Sequence, residues 1–277
     1  MISLAELSLN CQKNAMQNGA LVPLETEIIY SDAWSPFILR KLLGPTPKHL
    51  NEWGPRANPF FPWDRNLEVL ELDDHVLLLN KYPVEPGHLL LISKGWQPQG
   101  GWLTRTDWQA LVDIWRLQNG LWFFNSSPSA GASQPHRHLQ LLPRSEEIQL
   151  CPEDPKFMDA AREGARPWPW PWRVGIRAMP AGKPPTVDFL VETYGNLAAE
   201  NGMGLPSKVN KPLGAYNLLI SRNWFVLIPR TSDGHEGFSL NALGYAGYLL
   251  ATKESNMAWL EINGPNALLA HAAVINP

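Results

Sequence analysis

The sequence predicts an α+β fold built on antiparallel sheets. Short apolar runs arrive in pairs joined by brief polar turns, helical patterns stand between the pairs, and the hairpin-like spacing leaves no room for regular βαβ crossovers. Residues 3–19 read as a short helix. Residues 44–64, rich in Pro, Gly and Asn, read as an ordered loop or arm. Apolar runs at 67–72 and 76–81 flank Asp73 and Asp74, the pattern of two strands with a tight turn. Pro86 and Gly87 turn the chain into a further strand at 89–93.

The clearest helix is 104–119. Thr104 and Asp107 resemble a capping box, with Asp in place of the usual Glu or Gln. Trp108, Leu111, Val112 and Trp115 then share one helical face, and Gly120 ends the run. Residues 121–125 form a strand, 126–135 a loop of small residues, and 136–142 alternate as a strand does. Pro152, Pro155 and the alternating Trp-Pro run 167–172 mark a stiff strap between two halves, 1–155 and 156–277. A ligand for a proline-binding module is the weaker reading of that run. In the second half, 173–178 reads as a strand, 186–200 as a helix, and 215–221 with 224–229 as a hairpin around Arg222 and Asn223. From Leu240 the chain mixes Gly and Ala with apolar residues and is expected to end in a helix.

Composition narrows the function classes. The chain of 277 residues is 44% hydrophobic and 18% charged, enough for a real core and too little charge for a disordered chain. A net charge of −3 without a basic tail argues against polymeric nucleic acid as a partner. The two cysteines, Cys11 and Cys151, lie far apart and form no CxxC pair, so neither a disulfide framework nor a Cys-rich zinc site is expected. Unpaired thiols, no signal-peptide pattern at the start and no long apolar stretch together predict a cytoplasmic protein that engages no membrane.

The chemistry concentrates in residues 131–143. On a strand, His136, His138 and Gln140 fall on one face and Arg137, Leu139 and Leu141 on the other. Three polar groups in a row on one face are costly to bury without a ligand. Two ordinary histidines on a half-exposed strand are the bland alternative. It is disfavoured because a small-residue loop precedes the pair, Gln140 continues the face and Pro143 closes it. A metal site needs further ligands. His49, His75, His88, His235 and His271 are scattered at no recognisable spacing, so no tightly bound metal is expected.

Two further stretches flank that centre. Asn125, Ser126, Ser127 and Gly131 offer hydroxyls, an amide and open backbone N–H groups suited to a phosphate chain, and Ser133 and Gln134 continue that loop. Small residues there would let the chain pass close to phosphate. Asn80 and Lys81 end a strand at a sharp turn, a common place for ligand contacts. His88 reads as a packing or turn residue.

The segment HRHLQLLP resembles the histidine-triad motif, with Gln140 where the third histidine would stand. That exchange resembles the nucleotidyltransferase branch, as in galactose-1-phosphate uridylyltransferases. NKYPVEPGHLLLIS resembles the strand–turn–strand that precedes the motif. The longer strings NPFFPWD, HVLLLNKYPVEPGHLLLIS, FNSSPSAGASQPHRHLQLLP, AYNLLISRNWFVLIPR and SLNALGYAGYLLATKE resemble the diadenosine tetraphosphate phosphorylase, or ATP adenylyltransferase, family in order and spacing. The resemblance covers most of the chain from Asn58 onward.

It implies two histidine-triad-like halves, a catalytic first half and a second half packed over the polyphosphate. It implies His138 as a nucleophile that carries AMP, Gln140 as a holder of phosphoryl oxygens and His136 as a supporting residue. Asn80 would meet the ribose, and Lys81, Asn125 and Ser133 the phosphates. At least one of Arg222, Arg230 and Lys253 would grip the distal phosphates. The implied partners are diadenosine tetraphosphate, ATP, ADP and phosphate, with magnesium carried on the polyphosphate, and the chain would work as a monomer. A neutral attacking imidazole implies that activity falls on the acid side of the ordinary histidine pKa of about 6.5. Uridylyl transfer to a hexose phosphate, plain hydrolysis and a nucleotide sensor without turnover are the competing readings.

Overall fold

A computed structural model describes residues 3–44, 60–145, 149–163 and 169–276 of the chain. Most of the expected arm at 44–64 and the first two residues of the Trp-Pro run lie outside those residues.

The core is one eight-stranded sheet. Its strands are β3 (Glu68–Glu71), β4 (His75–Leu79), β5 (Leu89–Ser93), β6 (Gly120–Asn125), β7 (His138–Pro143), β8 (Gly175–Ala178), β9 (Ala215–Ile220) and β10 (Trp224–Arg230). The spatial order is β3-β4-β5-β7-β6-β9-β10-β8, antiparallel throughout. The expected halves therefore share one sheet: β6 pairs with β9, with Trp122 opposite Ile220 and Asn125 opposite Asn217.

A short ribbon pairs β11 (Gly234–His235) with β12 (Phe238–Ser239), and a further sheet holds β1 (Thr26–Ile29), β2 (Ile38–Leu42) and β13 (Tyr248–Ala251). There β2 and β13 run parallel, a departure from the antiparallel pattern read in the sequence. Parallel pairing is open to them because the two strands are joined by a long stretch of chain rather than by a hairpin.

The helices follow from their caps and apolar faces. Ser3 and Glu6 form a full capping box for the helix Leu4–Gln17. Thr104 and Asp107 do the same for Arg105–Trp115, so Asp serves in the N3 place. The helix Val187–Glu200 is capped by Thr186. These three pack on the sheet face that carries Leu139, Leu141, Trp122 and Phe124. Leu121, Phe123, Leu142, Leu219 and Val226 alternate onto the opposite face, where Asp154–Glu163 and Met257–His271 cover them. On that same side a separate small cluster gathers Val76, Leu78 and Ile92 under Phe60 and Trp63. His138 and Gln140 occupy the strip between these two apolar clusters, since Ile92 is opposite His138 and Phe123 opposite Gln140.

The strand expected at 136–142 starts two residues later. Residues before His138 pair instead with the loop after β5: Arg137 N–H donates to Gln97 O at 2.8 Å, and Gln99 N–H to Pro135 O at 2.8 Å. Among the described residues no helix is long and apolar enough to cross a membrane.

A sheet continuous through both halves unfolds as one unit. Leu218→Ala, in the fully buried middle of β9, is expected to cost about 2–5 kcal/mol in a single urea transition seen alike by tryptophan fluorescence and far-ultraviolet circular dichroism. Two separated transitions would refute the shared core.

Candidate active site

His138 opens β7, and its main chain is held from the side. Its N–H donates to Gln99 Oε1 at 2.9 Å, while Gln99 Nε2 donates to Asn125 O at 2.6 Å. The ring is fixed by a shorter-range contact. Nδ1 lies 2.8 Å from the carbonyl oxygen of His136. A carbonyl can only accept, so Nδ1 carries the proton and Nε2 the lone pair. Nε2 has no hydrogen-bond partner among the described residues. Burial lowers the pKa of this imidazole to about 4, against the bond to the His136 carbonyl, which works to raise it. The ring is thus neutral over the ordinary pH range.

Gln140 follows on the same face, and its orientation is set by a relay. His88 Nε2 donates to Gln140 Oε1 at 3.0 Å, and Asn80 Nδ2 donates to His88 Nδ1 at 3.0 Å. With its oxygen engaged by His88, Gln140 has its amide N–H groups left for another partner. The direction of both bonds requires His88 to be neutral, and burial indeed lowers its pKa to about 4. His88 is therefore more than the packing or turn residue the sequence suggested. Asn80, expected at the ribose, spends its side chain on His88 and on Tyr82 N–H, at 3.2 Å.

His136 stands just before the strand. Its Nε2 donates to Ser93 O at 2.7 Å, and its Nδ1 is buried without a hydrogen-bond partner among the described residues. The two histidines are thus opposite tautomers. Phe60 meets both rings edge-on, with centroids at 5.8 and 5.6 Å, and Trp96 packs on His136 at 5.2 Å. Between the histidines, Arg137 points away into the protein. Its Nη1 is 3.0 Å from Asp107 Oδ2, and His75 Nε2 is 3.0 Å from Asp107 Oδ1. Burial alone would raise the Asp107 pKa, but His75, Arg137 and Thr104 together bring it below the usual carboxylate value.

The loop before the histidines is anchored largely to the second half. Asn125 Oδ1 accepts from Asn217 Nδ2 at 2.9 Å and from Ala242 N–H at 2.9 Å, and Ser126 Oγ accepts from Tyr216 N–H at 2.8 Å. Asn217 Nδ2 also donates to Ala130 O at 2.8 Å. Gly131 has φ +81°, and a Cβ there would sit 2.4 Å from Leu240 O. Its glycine is required by that approach, whereas the sequence suggested an approach to phosphate. Ser127 Oγ is buried without a partner among the described residues, and Ser133 is exposed. Gln134 is half-buried and Lys81 exposed.

The three basic candidates from the second half separate. Arg230 is buried, and its guanidinium binds Asn217 Oδ1 and the carbonyls of Ala272, Ser232 and Leu240. It holds the loop together from behind. Arg222 lies in the β9–β10 turn, at the end of the sheet where β6 begins and far along the strands from His138. Lys253 is 84% exposed on its side chain and lies 3.6 Å from Glu254. Sequence reasoning missed His88, Gln99, Asn217 and the Asp107–His75 pair, all of which act through contacts distant in sequence.

Residues 3–156 match the family model of the Ap4A phosphorylase N-terminal domain, and residues 169–275 that of the ATP adenylyltransferase C-terminal domain. The chain belongs to the Ap4A phosphorylase family. Among relatives of this family member, Protein APA1 of Saccharomyces cerevisiae is 27% identical over 201 residues, 64% of this chain and 61% of that protein. Diadenosine 5',5'''-P1,P4-tetraphosphate phosphorylase 2 of the same yeast is 27% identical over 228 residues, 71% of this chain and 68% of that one. Crystal structures of yeast Ap4A phosphorylase Apa2, in complex with AMP and with Ap4A, superpose with a TM-score of 0.74 at 22% identity, covering 100% of this chain and 99–100% of those. That likeness shows the α+β fold of this Ap4A phosphorylase family member.

Two measurements test the electrostatics. With His138 as the attacking base, the acid limb of kcat/KM is expected well below 6.5, toward 4, because kcat/KM reports the free protein's ionisations and burial lowers the His138 pKa. The folded pKa values of His138 and His88 lie below the unfolded value. Their contribution to stability is therefore complete above about 6.5 and declines as pH falls from there toward 4. An acid limb at 6.5 would show His138 to be solvated. Separately, His88→Ala is expected to lower kcat by about 10–100-fold, the worth of one lost buried hydrogen bond at roughly 1–3 kcal/mol, with the circular dichroism spectrum retained. An unchanged kcat would remove His88 from the account.

Proposed function

We propose that this chain splits diadenosine 5',5'''-P1,P4-tetraphosphate with phosphate into ADP and ATP, reversibly, through an adenylyl group carried on His138. The observation that carries the proposal is the Nδ1–H to carbonyl bond at 2.8 Å, which commits the lone pair of a neutral imidazole to Nε2. Nε2 attacks the phosphorus of one adenylyl group, the P–O bond to the rest of the chain breaks, and ATP leaves as an anion. The positive charge that attack places on the ring is stabilised by the His136 carbonyl. An oxygen of inorganic phosphate then attacks the same phosphorus, the N–P bond breaks and ADP departs.

Gln140 supports the transfer by donating an amide N–H to a phosphoryl oxygen, held in that orientation by His88. A neutral amide neither gives nor takes a proton, which suits a phosphate acceptor that is already anionic. His136 supports the site through its carbonyl. Lys81, the Ser127 hydroxyl, Ser133 and Gln134 are the phosphate-facing groups of this reading, while Asn125, Ser126 and Gly131 shape the loop that carries them. Lys253, on the surface of the second half, is the remaining candidate for the distal phosphates. Residues 1–155 would supply catalysis and 156–277 the loop's anchor, working as a monomer in the cytoplasm. Magnesium in this reading travels on the polyphosphate, since hard cations bridge phosphate oxygens with few protein ligands.

The test is chemical. Incubation with adenine-labelled diadenosine tetraphosphate without phosphate is expected to leave one labelled AMP on His138, found by peptide mass spectrometry and discharged as ADP when phosphate is added. His138→Gly should lose label and turnover together, by about 10⁴-fold or more. Label on another residue, or turnover unaffected by the substitution, would overturn the proposal.

A further inference from the structure

The ladder between β6 and β7 runs from Gly120 opposite Pro143 to Phe123 opposite Gln140. Continued in the same register it would set Asn125 against His138. It stops short of that pair, although both residues belong to their strands. The side chain of Gln99 fills the gap. Its Oε1 accepts from His138 N–H at 2.9 Å, and its Nε2 donates to Asn125 O at 2.6 Å and to His138 O at 3.3 Å. One amide thus meets both main-chain groups of His138 and the carbonyl of Asn125, as a neighbouring strand would. Gln99 is buried, and its own N–H donates to Pro135 O at 2.8 Å, just before the histidines. Two residues on, a Cβ at Gly101 would sit 2.5 Å from Arg137 Nη2, so glycine there lets this segment close on Arg137. Direct pairing of the strands would satisfy the same backbone groups without burying a side-chain amide. What the insertion adds is separation. It holds β6 and β7 apart by the width of an amide, where β6 passes into the Ser126–Gln134 loop and β7 begins with His138.

We propose, on the adenylyl-transfer reading, that Gln99 is a positioning residue that sets the spacing between His138 and the loop beginning at Asn125. In that reading the attacking Nε2 and the phosphate-facing groups of the loop meet one phosphoryl group from two sides. The distance between them follows from how far β6 and β7 stand apart. Gln99 touches no reacting atom. It acts through the main chain of His138, whose ring is oriented in turn by the His136 carbonyl. Misplacing reacting groups by about 1 Å costs on the order of 10²-fold in rate, so the spacer is felt in kcat rather than in KM.

Two variants of the full chain test the assignment with diadenosine tetraphosphate and phosphate as substrates. Gln99→Met keeps the side-chain length and removes the hydrogen bonds, and kcat is expected to fall about 10–100-fold with KM within about twofold. Gln99→Glu keeps the shape. As the neutral acid its hydroxyl donates to Asn125 O and its carbonyl accepts from His138 N–H, whereas the carboxylate has no proton to donate. Burial raises the pKa of such a carboxyl, so the ratio of its kcat to that of the unaltered protein is expected near one at about pH 5, declining along a one-proton limb toward about pH 8. An unchanged kcat in Gln99→Met, or a Gln99→Glu ratio flat with pH, overturns the assignment. So does loss of the circular dichroism spectrum along the same limb, which would leave Gln99 a residue of the fold alone. If Gln99→Met fails to fold, the Gln99→Glu titration decides by itself. A single turnover without phosphate separates this role from the reaction. Adenylyl label on a residue other than His138 in the unaltered protein defeats the transfer reading. Label reaching His138 in Gln99→Met at the unaltered rate defeats the positioning role alone.

Discussion

A buried carboxylate underlies the arrangement around His138. Asp107 closes the capping box of its own helix, takes the His75 ring from β4 and pairs with Arg137 between the two histidines. Taking a carboxylate out of water is expensive unless charge and hydrogen bonds surround it. Here both are present, and they come from three separate parts of the chain. Residues 136 and 138 are thereby fixed by an ion pair on the far side of the backbone, away from any substrate. The geometry of the two histidines is set by a group that touches neither ring.

That fixed backbone decides the tautomers. The His136 carbonyl orients the His138 ring and leaves Nε2 basic in structure yet neutral in charge, while Ser93 O assigns the opposite nitrogen of His136. Burial keeps both imidazoles uncharged, and His88 as well. In the proposed reaction, a centre built of neutral rings and amides holds polyphosphate by aimed donors more than by its own charge. In that reaction a neutral His138 also attacks without the loss of nucleophilicity that protonation would bring. The aromatic groups Phe60 and Trp96 contribute by excluding water from the same side.

Much of this was legible along the chain. The strand at 89–93 and the Thr104–Asp107 cap emerge from local pattern alone, because turns and caps are decided by neighbours within a few residues. The shared face of His138 and Gln140 follows from strand alternation. The longer strings carried the family. His88 was not legible: its contact with Gln140 needs the register that pairs Leu90 with Gln140, and 52 residues separate the partners. Gln99 and Asn217 escaped notice similarly, as amides in unremarkable surroundings. Gly131 was noticed for another reason, since only the folded chain reveals Leu240 above it. The β2–β13 pair joins distant segments whose patterns say nothing of each other.

The seam between β6 and β9 has a consequence for how the molecule is made. On the ribosome, β3 to β7 can assemble as soon as Pro143 has emerged, and in that partial sheet β6 is an outer strand. Its natural neighbour is complete only at Ile220, 77 residues after Pro143. At roughly 5–20 residues per second this interval lasts roughly 4–15 s. During it a fully apolar strand, GLWFF, offers its unpaired amides to any passing extended peptide. The seam thus leaves the apolar edge of β6 unpaired until the second half of the chain has been made.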